Sequence, residues 1–321
     1  MELIERESVE WTNSWISNAN KNGKRCLLIG DSTTRQIRSS LEFLAMGYFA
    51  VDLFASSYAI QDHKFMEYLK LFFQGDEYTY DVIFLQYGAH HNFVHECNND
   101  QVYKKKYWMK YKDIVIFLKE KCKNVIILSS TAEAPWSERE KEVIVRNVIA
   151  RDVANQLECR FYDIYELMKK SGYIHFDRCH YQRESDAFIS YHLLLFLLSE
   201  GVISKDFRER ACGNNRREIQ NKFGNEKIFI YGKGIRGQEL YWWFKWNNME
   251  KSIECFVETN IVSTEFFNIP VVQIDTVDNV NKQKLLVISS EKFETEMRKR
   301  AEELGFENII TAIEFKNATR L

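Results

Sequence analysis

Three residues of this 321-residue chain could do chemistry together: Ser32, Asp177 and His180. Ser32 follows Gly30-Asp31 at the end of an apolar run, Cys26 to Ile29. Asp177 stands three residues before His180, late in the first two-thirds of the chain. A serine hydroxyl is a weak nucleophile until a base takes its proton. A histidine can be that base near neutral pH. A carboxylate beside it fixes the tautomer and stabilises the imidazolium that forms. Asp-x-x-His on a turn carries base and carboxylate together. Gly30-Asp31-Ser32 can equally be a helix start, since Asp and Ser are favoured caps. Asp31 reads as that brace, and Arg35, one turn into the helix, as a salt-bridged side chain or a holder of a substrate oxygen.

These residues need elements to hold them. Arg25 to Ile29 reads as a buried strand, with a helix from Ser32 to Met46 carrying Ile37, Leu41 and Leu44 at helical spacing. Further strands are expected at Phe49–Phe54, Asp81–Gln86, Asn124–Ser129 and Cys159–Tyr162. Helices are expected at 64–73, 101–122, 138–157 and 184–199. Residues 1–24 read as a leading helix with Trp11, Trp15 and Ile16 on one side. Strands alternating with helices argue for a parallel, doubly wound sheet. At the carboxyl edge of such a sheet ligands bind, and Ser32 sits there.

With these positions fixed, the chain resembles the SGNH (GDSL-type) hydrolase superfamily over roughly residues 25–200. The carrying motifs are Gly30-Asp31-Ser32, Gly88-x-His90 and Asp177-x-x-His180. Gly30-Asp31-Ser32-Thr33-Thr34-Arg35 is also similar to branches that add or remove O-acetyl groups on polysaccharides. The resemblance implies a three-layer α/β/α domain and ester hydrolysis or acyl transfer. Ser32 would be the nucleophile, His180 the base and Asp177 the orienting carboxylate. The oxyanion hole would use the Ser32 N–H, a backbone N–H near Ser57, and the stretch Gly88 to His90. The sequence departs from the family twice. Ala55-Ser56-Ser57 replaces a glycine, and His90 replaces an asparagine. His91 and His95, at i, i+4, with Cys97 nearby, lack the further ligands that a catalytic zinc needs, so no metal is expected. His63, His175 and His192 read as structural.

A second constellation follows. Residues 201–226 are polar and read as a linker. From Lys205 to Lys222 they hold six basic and three acidic residues. A new α/β pattern then covers 227–321. Ile228 to Tyr231 is an expected strand, and Gly232-x-Gly234-x-x-Gly237 leads into a helix ending near Trp246. Glu258 closes the next strand, 21 residues after Gly237 (258 − 237). That is the setting of a dinucleotide fingerprint, with glycines at a pyrophosphate and an acid at the ribose. Ninety-five residues (321 − 227 + 1) are too few for two mononucleotide-binding halves. The segment resembles small Rossmann-like modules of bacterial surface-glycan proteins, carried by Tyr231 to Gly237 and Asn268-Ile269-Pro270-Val271-Val272. A nucleotide or nucleotide-sugar is its candidate ligand, and a scaffold with an empty loop is the other reading.

Composition narrows the classes. Hydrophobic residues make up 45% and charged residues 28%, with a formal net charge of -2. Nothing in that balance favours nucleic acid or an anionic membrane. The charged start, Met1 to Glu7, lacks the apolar core of a signal peptide. No apolar run reaches the roughly 20 residues of a membrane span. The seven cysteines are scattered with no CxxC pair, as in a reduced, cytoplasmic protein. The expectation is a serine esterase or O-acyltransferase acting on O-acyl, chiefly O-acetyl, groups of a carbohydrate. Hydrolysis needs no cofactor, the substrate is a small-molecule or glycan ester, and oligomerisation is left open. The rivals are a degenerate nucleotide-sugar-binding or scaffold protein, and a nicotinamide-dependent oxidoreductase built on residues 227–321.

Overall fold

A computed structural model describes residues 9–19, 23–75, 78–88, 101–224 and 227–318. The chain is an α/β protein that divides into two compact units. One is Met1–Glu42 with Phe49–Ile189, and the other is Phe43–Tyr48 with Ser190–Leu321.

The first unit is built on a six-stranded sheet. Its strands are β1 (Thr12–Trp15), β2 (Arg25–Gly30), β3 (Ala50–Ser56), β4 (Val82–Gln86), β5 (Val125–Leu128) and β6 (Arg160–Tyr162), in the order β1-β3-β2-β4-β5-β6. β2 to β6 run parallel and β1 pairs antiparallel with β3. Taken from β2 onward the order is 2-1-3-4-5, a doubly wound sheet whose direction of winding reverses between β2 and β4. Ligands bind at that crevice in such sheets. β2, β4 and β5 are buried along their whole length, as expected of central parallel strands covered on both faces.

Helices α1 (Ser32–Leu44), α2 (His63–Phe72), α3 (Gln101–Lys121), α4 (Glu140–Gln156), α5 (Ile164–Lys169) and α6 (Ser185–Ser199) follow the strands. In α1, Ile37, Leu41 and Leu44 are buried, which is the expected stripe. At the amino end of β2, Arg25 and Asp52 form a buried two-pronged ion pair. Nε and Nη2 each lie 3.0 Å from a carboxylate oxygen. The Ser17 N–H and the Tyr80 hydroxyl also donate to that carboxylate.

One expectation fails at the start of the chain. Thr12–Trp15 is an edge strand, not part of a leading helix. Main-chain pairing with β3 holds it, and all four side chains are exposed, so no apolar alternation marks it. The aromatic spacing that suggests a helix has another use: Trp11 and Trp15 lie under the Arg35 and Arg38 guanidinium groups at 4.4 and 4.6 Å. A cation over an aromatic face is attractive.

In the second unit, α7 (Lys205–Phe223) runs where the composition predicts a linker. Ser204 caps it by accepting the Phe207 N–H, and Gly224 ends it with φ 78°. Only a narrow stripe, Ala211, Cys212, Asn215 and Ile219, is buried, so the polar composition conceals it. The second sheet comprises β7 (Ile228–Tyr231), β8 (Ile253–Glu258), β9 (Glu265–Phe266), β10 (Ile269–Gln273), β11 (Leu286–Ile288) and β12 (Ile309–Thr311). The order is β12-β11-β7-β8-β10-β9, all parallel except the β9–β10 hairpin. Without β9 it reads 3-2-1-4-5. Helices α8 (Ile235–Trp246), α9 (Glu294–Glu303) and α10 (Ala312–Ala318) complete the unit. Among the described residues no helix is long and apolar enough to cross a membrane.

Candidate active site

Ser32 is the first residue of α1, directly after β2 and the buried Asp31. The turn between them is tight. A Cβ on Gly30 would lie 2.0 Å from Thr34 Oγ1 and 2.3 Å from the backbone oxygen of Gln86, so glycine is required by close approach. Asp31 braces the turn: its Oδ1 accepts the Thr33 N–H at 3.0 Å, and its carbonyl accepts the Arg35 N–H. Thr34 donates to Gln86 Oε1 at 2.7 Å, tying α1 to the end of β4. Ser32 thus sits at the N-terminal end of a helix, where the helix dipole favours negative charge.

Asp177 and His180 come from a hairpin-like turn. Main-chain bonds join Gln182 to Ile174 and Phe176 to His180, and His175 bridges Tyr181. At the tip, Asp177 Oδ1 accepts the backbone N–H groups of Cys179 at 2.9 Å and His180 at 2.8 Å. Its Oδ2 lies 2.8 Å from His180 Nδ1, and His180 Nε2 lies 2.7 Å from Ser32 Oγ. Gln36, on α1, donates to the Tyr181 carbonyl at 3.1 Å, so the helix that begins at the serine also holds the turn that carries the base. All three predicted side chains are therefore brought into one hydrogen-bonded line.

Electrostatics assign the protons. Partial burial would raise the Asp177 carboxyl. The His180 backbone N–H, the imidazole and the Cys179 N–H outweigh it and hold the carboxyl below the usual range. An ionised Asp177 only accepts, so His180 Nδ1 carries the hydrogen and Nε2 is left to accept from Ser32. Cys179 Sγ is also near, 3.4 Å from His180 Nδ1. Burial, then the charges of Asp177 and Asp31, push its thiol up to about 12. It stays protonated and competes neither as base nor as nucleophile. Among the described residues, Asp177, Cys179 and His180 are the one group whose ligand atoms lie close enough to share a metal ion. Two of them, on Asp177 and His180, already join base to carboxylate.

The expected oxyanion donors fare differently. The Ser57 N–H donates to the Trp11 carbonyl at 3.0 Å, and the residue is fully buried. Ser57 is thus not an oxyanion donor: the chain around β1, a strand rather than the expected helix, takes up its N–H. Gly88 is buried just after β4, and a Cβ on it would meet Ser130 Oγ at 2.3 Å. His90 lies outside the described residues, as do His91, His95 and Cys97. Arg35, a candidate substrate holder, stacks on Trp11 instead. His175 is structural, with Nε2 2.9 Å from the Ala132 carbonyl.

In the second unit the glycine loop follows β7. Gly232 has φ 100°, and a Cβ on Gly237 would lie 2.2 Å from the Gly232 carbonyl oxygen. Gly234 caps α8 with no side-chain hydrogen bond. Glu258, expected at a ribose, instead accepts the Lys233 N–H at 3.0 Å. Burial raises its carboxyl, opposed by Lys233.

Sequence reasoning passes over Trp136, Ile174 and Phe176, which are exposed around the turn. Their signal is weak: three large apolar residues in stretches with no helical or strand period.

No protein-family model matches the chain, and no curated protein does. Solved structures that resemble it include acetylxylan esterases, an alpha/beta hydrolase and a lipase/acylhydrolase. The acetylxylan esterase Axe2 from Geobacillus stearothermophilus is 14% identical, covering 57% of this chain and 95% of its own, with a TM-score of 0.42. LAE5, an alpha/beta hydrolase enzyme from the metagenome of Lake Arreo, Spain, is 16% identical, covering 57% and 97%, with a TM-score of 0.44. A lipase/acylhydrolase from Enterococcus faecalis is 12% identical, covering 55% and 95%, with a TM-score of 0.42. Likeness at this level establishes no family, and the chemistry of the site rests on its own geometry.

Proposed function

We propose that the first unit is a serine ester hydrolase or acyltransferase of the SGNH type, acting on O-acyl groups, chiefly O-acetyl, of a carbohydrate. The observation that carries this reading is the unbroken line from Ser32 Oγ through His180 to Asp177, at 2.7 and 2.8 Å. Ser32 Oγ attacks the acyl carbon while its proton passes to His180 Nε2. The carbonyl oxygen gathers negative charge at the N-terminus of α1. The bond from the acyl carbon to the alcohol oxygen then breaks, and that oxygen takes the proton from Nε2. Water, or a second hydroxyl, repeats the sequence on the acyl-serine and frees Ser32. Aryl acetate hydrolysis by the wild type, compared with Ser32→Ala and His180→Ala, tests this. Equal rates in all three would sink it.

A second reading concerns the second unit. The unassisted cap at Gly234 lies where the 3-2-1-4-5 order reverses, beside β7 and β11. This favours a phosphate of a nucleotide or nucleotide-sugar there. The engagement of Glu258 with Lys233 weighs against a ribose partner. A melting-temperature rise with NAD, CoA or a nucleotide-sugar supports binding, and no rise with any of them supports a scaffold.

A further inference from the structure

The turn that carries the base also gathers three kinds of metal ligand. Asp177 Oδ1 accepts the Cys179 and His180 N–H groups, and this bends the chain so that side chains 177, 179 and 180 converge. One ligand atom from each lies within 4.8 Å of the others. His180 Nδ1 is 2.8 Å from Asp177 Oδ2 and 3.4 Å from Cys179 Sγ. Around a tetrahedral zinc, bonds of about 2.3 Å to sulfur and about 2.1 Å to nitrogen or oxygen place neighbouring ligand atoms about 3.4–3.6 Å apart. The sulfur–nitrogen edge already fits. The oxygen–nitrogen edge has only to open as the hydrogen between the two atoms leaves. The site is also reachable: the Asp177 and His180 side chains are 41% and 21% exposed, and Cys179 is half-buried. Beside the thiol, the charges of Asp177, Asp31 and Glu133 act against that of Arg178, a balance that attracts a cation.

We propose that Asp177, Cys179 and His180 form an inhibitory site for a thiophilic divalent cation such as zinc. Sulfur and nitrogen among the ligands suit zinc or cadmium, whereas magnesium and calcium take oxygen. The thiolate and the carboxylate together balance the two charges of the ion, and a water completes the tetrahedron. The mode of inhibition rests on the acyl-transfer reading of Ser32. A neutral imidazole that gives its Nδ1 lone pair to a metal carries its hydrogen on Nε2. His180 Nε2, 2.7 Å from Ser32 Oγ, then donates to the serine instead of accepting from it. The base is switched off and the acyl-serine cannot form. The protons balance: the Cys179 thiol releases one to solvent as its sulfur binds the metal, and the hydrogen on Nδ1 is replaced by the one on Nε2. No electrons are transferred. Cys179 thereby has a use, although its thiol takes no part in the acyl-transfer steps.

The test measures p-nitrophenyl acetate hydrolysis by the full-length wild type and Cys179→Ala at buffered free zinc, with magnesium as control. Zinc should inhibit the wild type, a chelator should restore the rate, and magnesium should have no effect. Cys179→Ala should keep its metal-free rate and need at least about 10-fold more zinc for half inhibition, the least that even the loss of an outer-shell partner costs. Binding is read separately by titrating cadmium into full-length Ser32→Ala and following the ultraviolet band of cadmium-bound thiolate. One equivalent of that band should disappear when Cys179→Ala is added. Melting temperatures establish that each variant is folded. No inhibition of the wild type, equal inhibition of both proteins, or a cadmium band indifferent to Cys179 would overturn the proposal while leaving ester hydrolysis intact. A Cys179-dependent band in a protein whose wild type hydrolyses no ester would instead overturn the acyl-transfer reading, and the inhibition with it, but not the metal site.

Discussion

Asp177 grips His180 twice, through the backbone N–H with Oδ1 and through ring Nδ1 with Oδ2, each at 2.8 Å. One carboxylate therefore both closes the turn and aims the imidazole. Asp177→Asn can keep one grip and not the other: its amide nitrogen cannot accept from Nδ1–H. The variant should fold and lose hydrolysis by roughly 10²–10⁴-fold, chiefly in kcat, because the ring is released to the wrong tautomer. An unchanged kcat would show that Asp177 only shapes the turn.

The same contacts set a pH dependence of stability. The Asp177 carboxyl is held below its ordinary value in the folded chain. Its contribution is therefore present above the unfolded value, about 3.9, and is lost as pH falls through the lower folded value. The difference in melting temperature between wild type and Asp177→Asn should close in strong acid, below the unfolded carboxyl value. A difference that persisted undiminished in strong acid would contradict this assignment.

Gly30→Ala tests the close packing beneath the nucleophile. The new methyl would meet Thr34 Oγ1 and the backbone oxygen of Gln86. A side chain can turn aside, but a carbonyl of a buried central strand cannot, so Thr34→Val should not rescue the variant. Overpacking of this kind costs about 1–3 kcal/mol. Esterase activity per folded molecule should fall as well, since Ser32 would be displaced. Denaturant midpoints and rates, measured together, separate the two effects.

At the opposite end of β2, Asp52→Ala would strand the Arg25 guanidinium at 3% exposure. Breaking a buried pair in this way costs about 3–5 kcal/mol. Because the pair lies at the end of the sheet away from Ser32, the folded fraction should keep its activity. A loss below about 1 kcal/mol, the scale of an exposed pair, would mean that the charge is not truly desolvated.

Much of this architecture is legible in the amino-acid sequence. The strands that bury both faces, from Arg25 to Gly30 and from Val82 to Gln86, hold the apolar runs Cys26–Ile29 and Val82–Leu85, with a turn signal after them. Ser32, Asp177 and His180 are legible as a set because Ser32 follows a buried strand at the start of a helix and Asp-x-x-His falls on a turn that can carry both side chains. β1 is not, because an edge strand held by main-chain bonds needs no apolar pattern. That one misreading propagates to Ser57, whose N–H the expected helix would leave free and which is bonded to Trp11 in the sheet. α7 is hidden by having four buried positions in a nineteen-residue polar stretch. Glu258 falls on its expected strand, but no spacing rule could reveal that Lys233 would claim it.

The proposed function requires that Ser32 be a nucleophile activated by His180. Intact-mass spectrometry after treatment with a fluorophosphonate tests it most directly. One adduct per chain is expected, mapped to Ser32, formed much more slowly in His180→Ala and absent in Ser32→Ala. An unmodified wild-type chain, or an adduct that persists in Ser32→Ala, would contradict it.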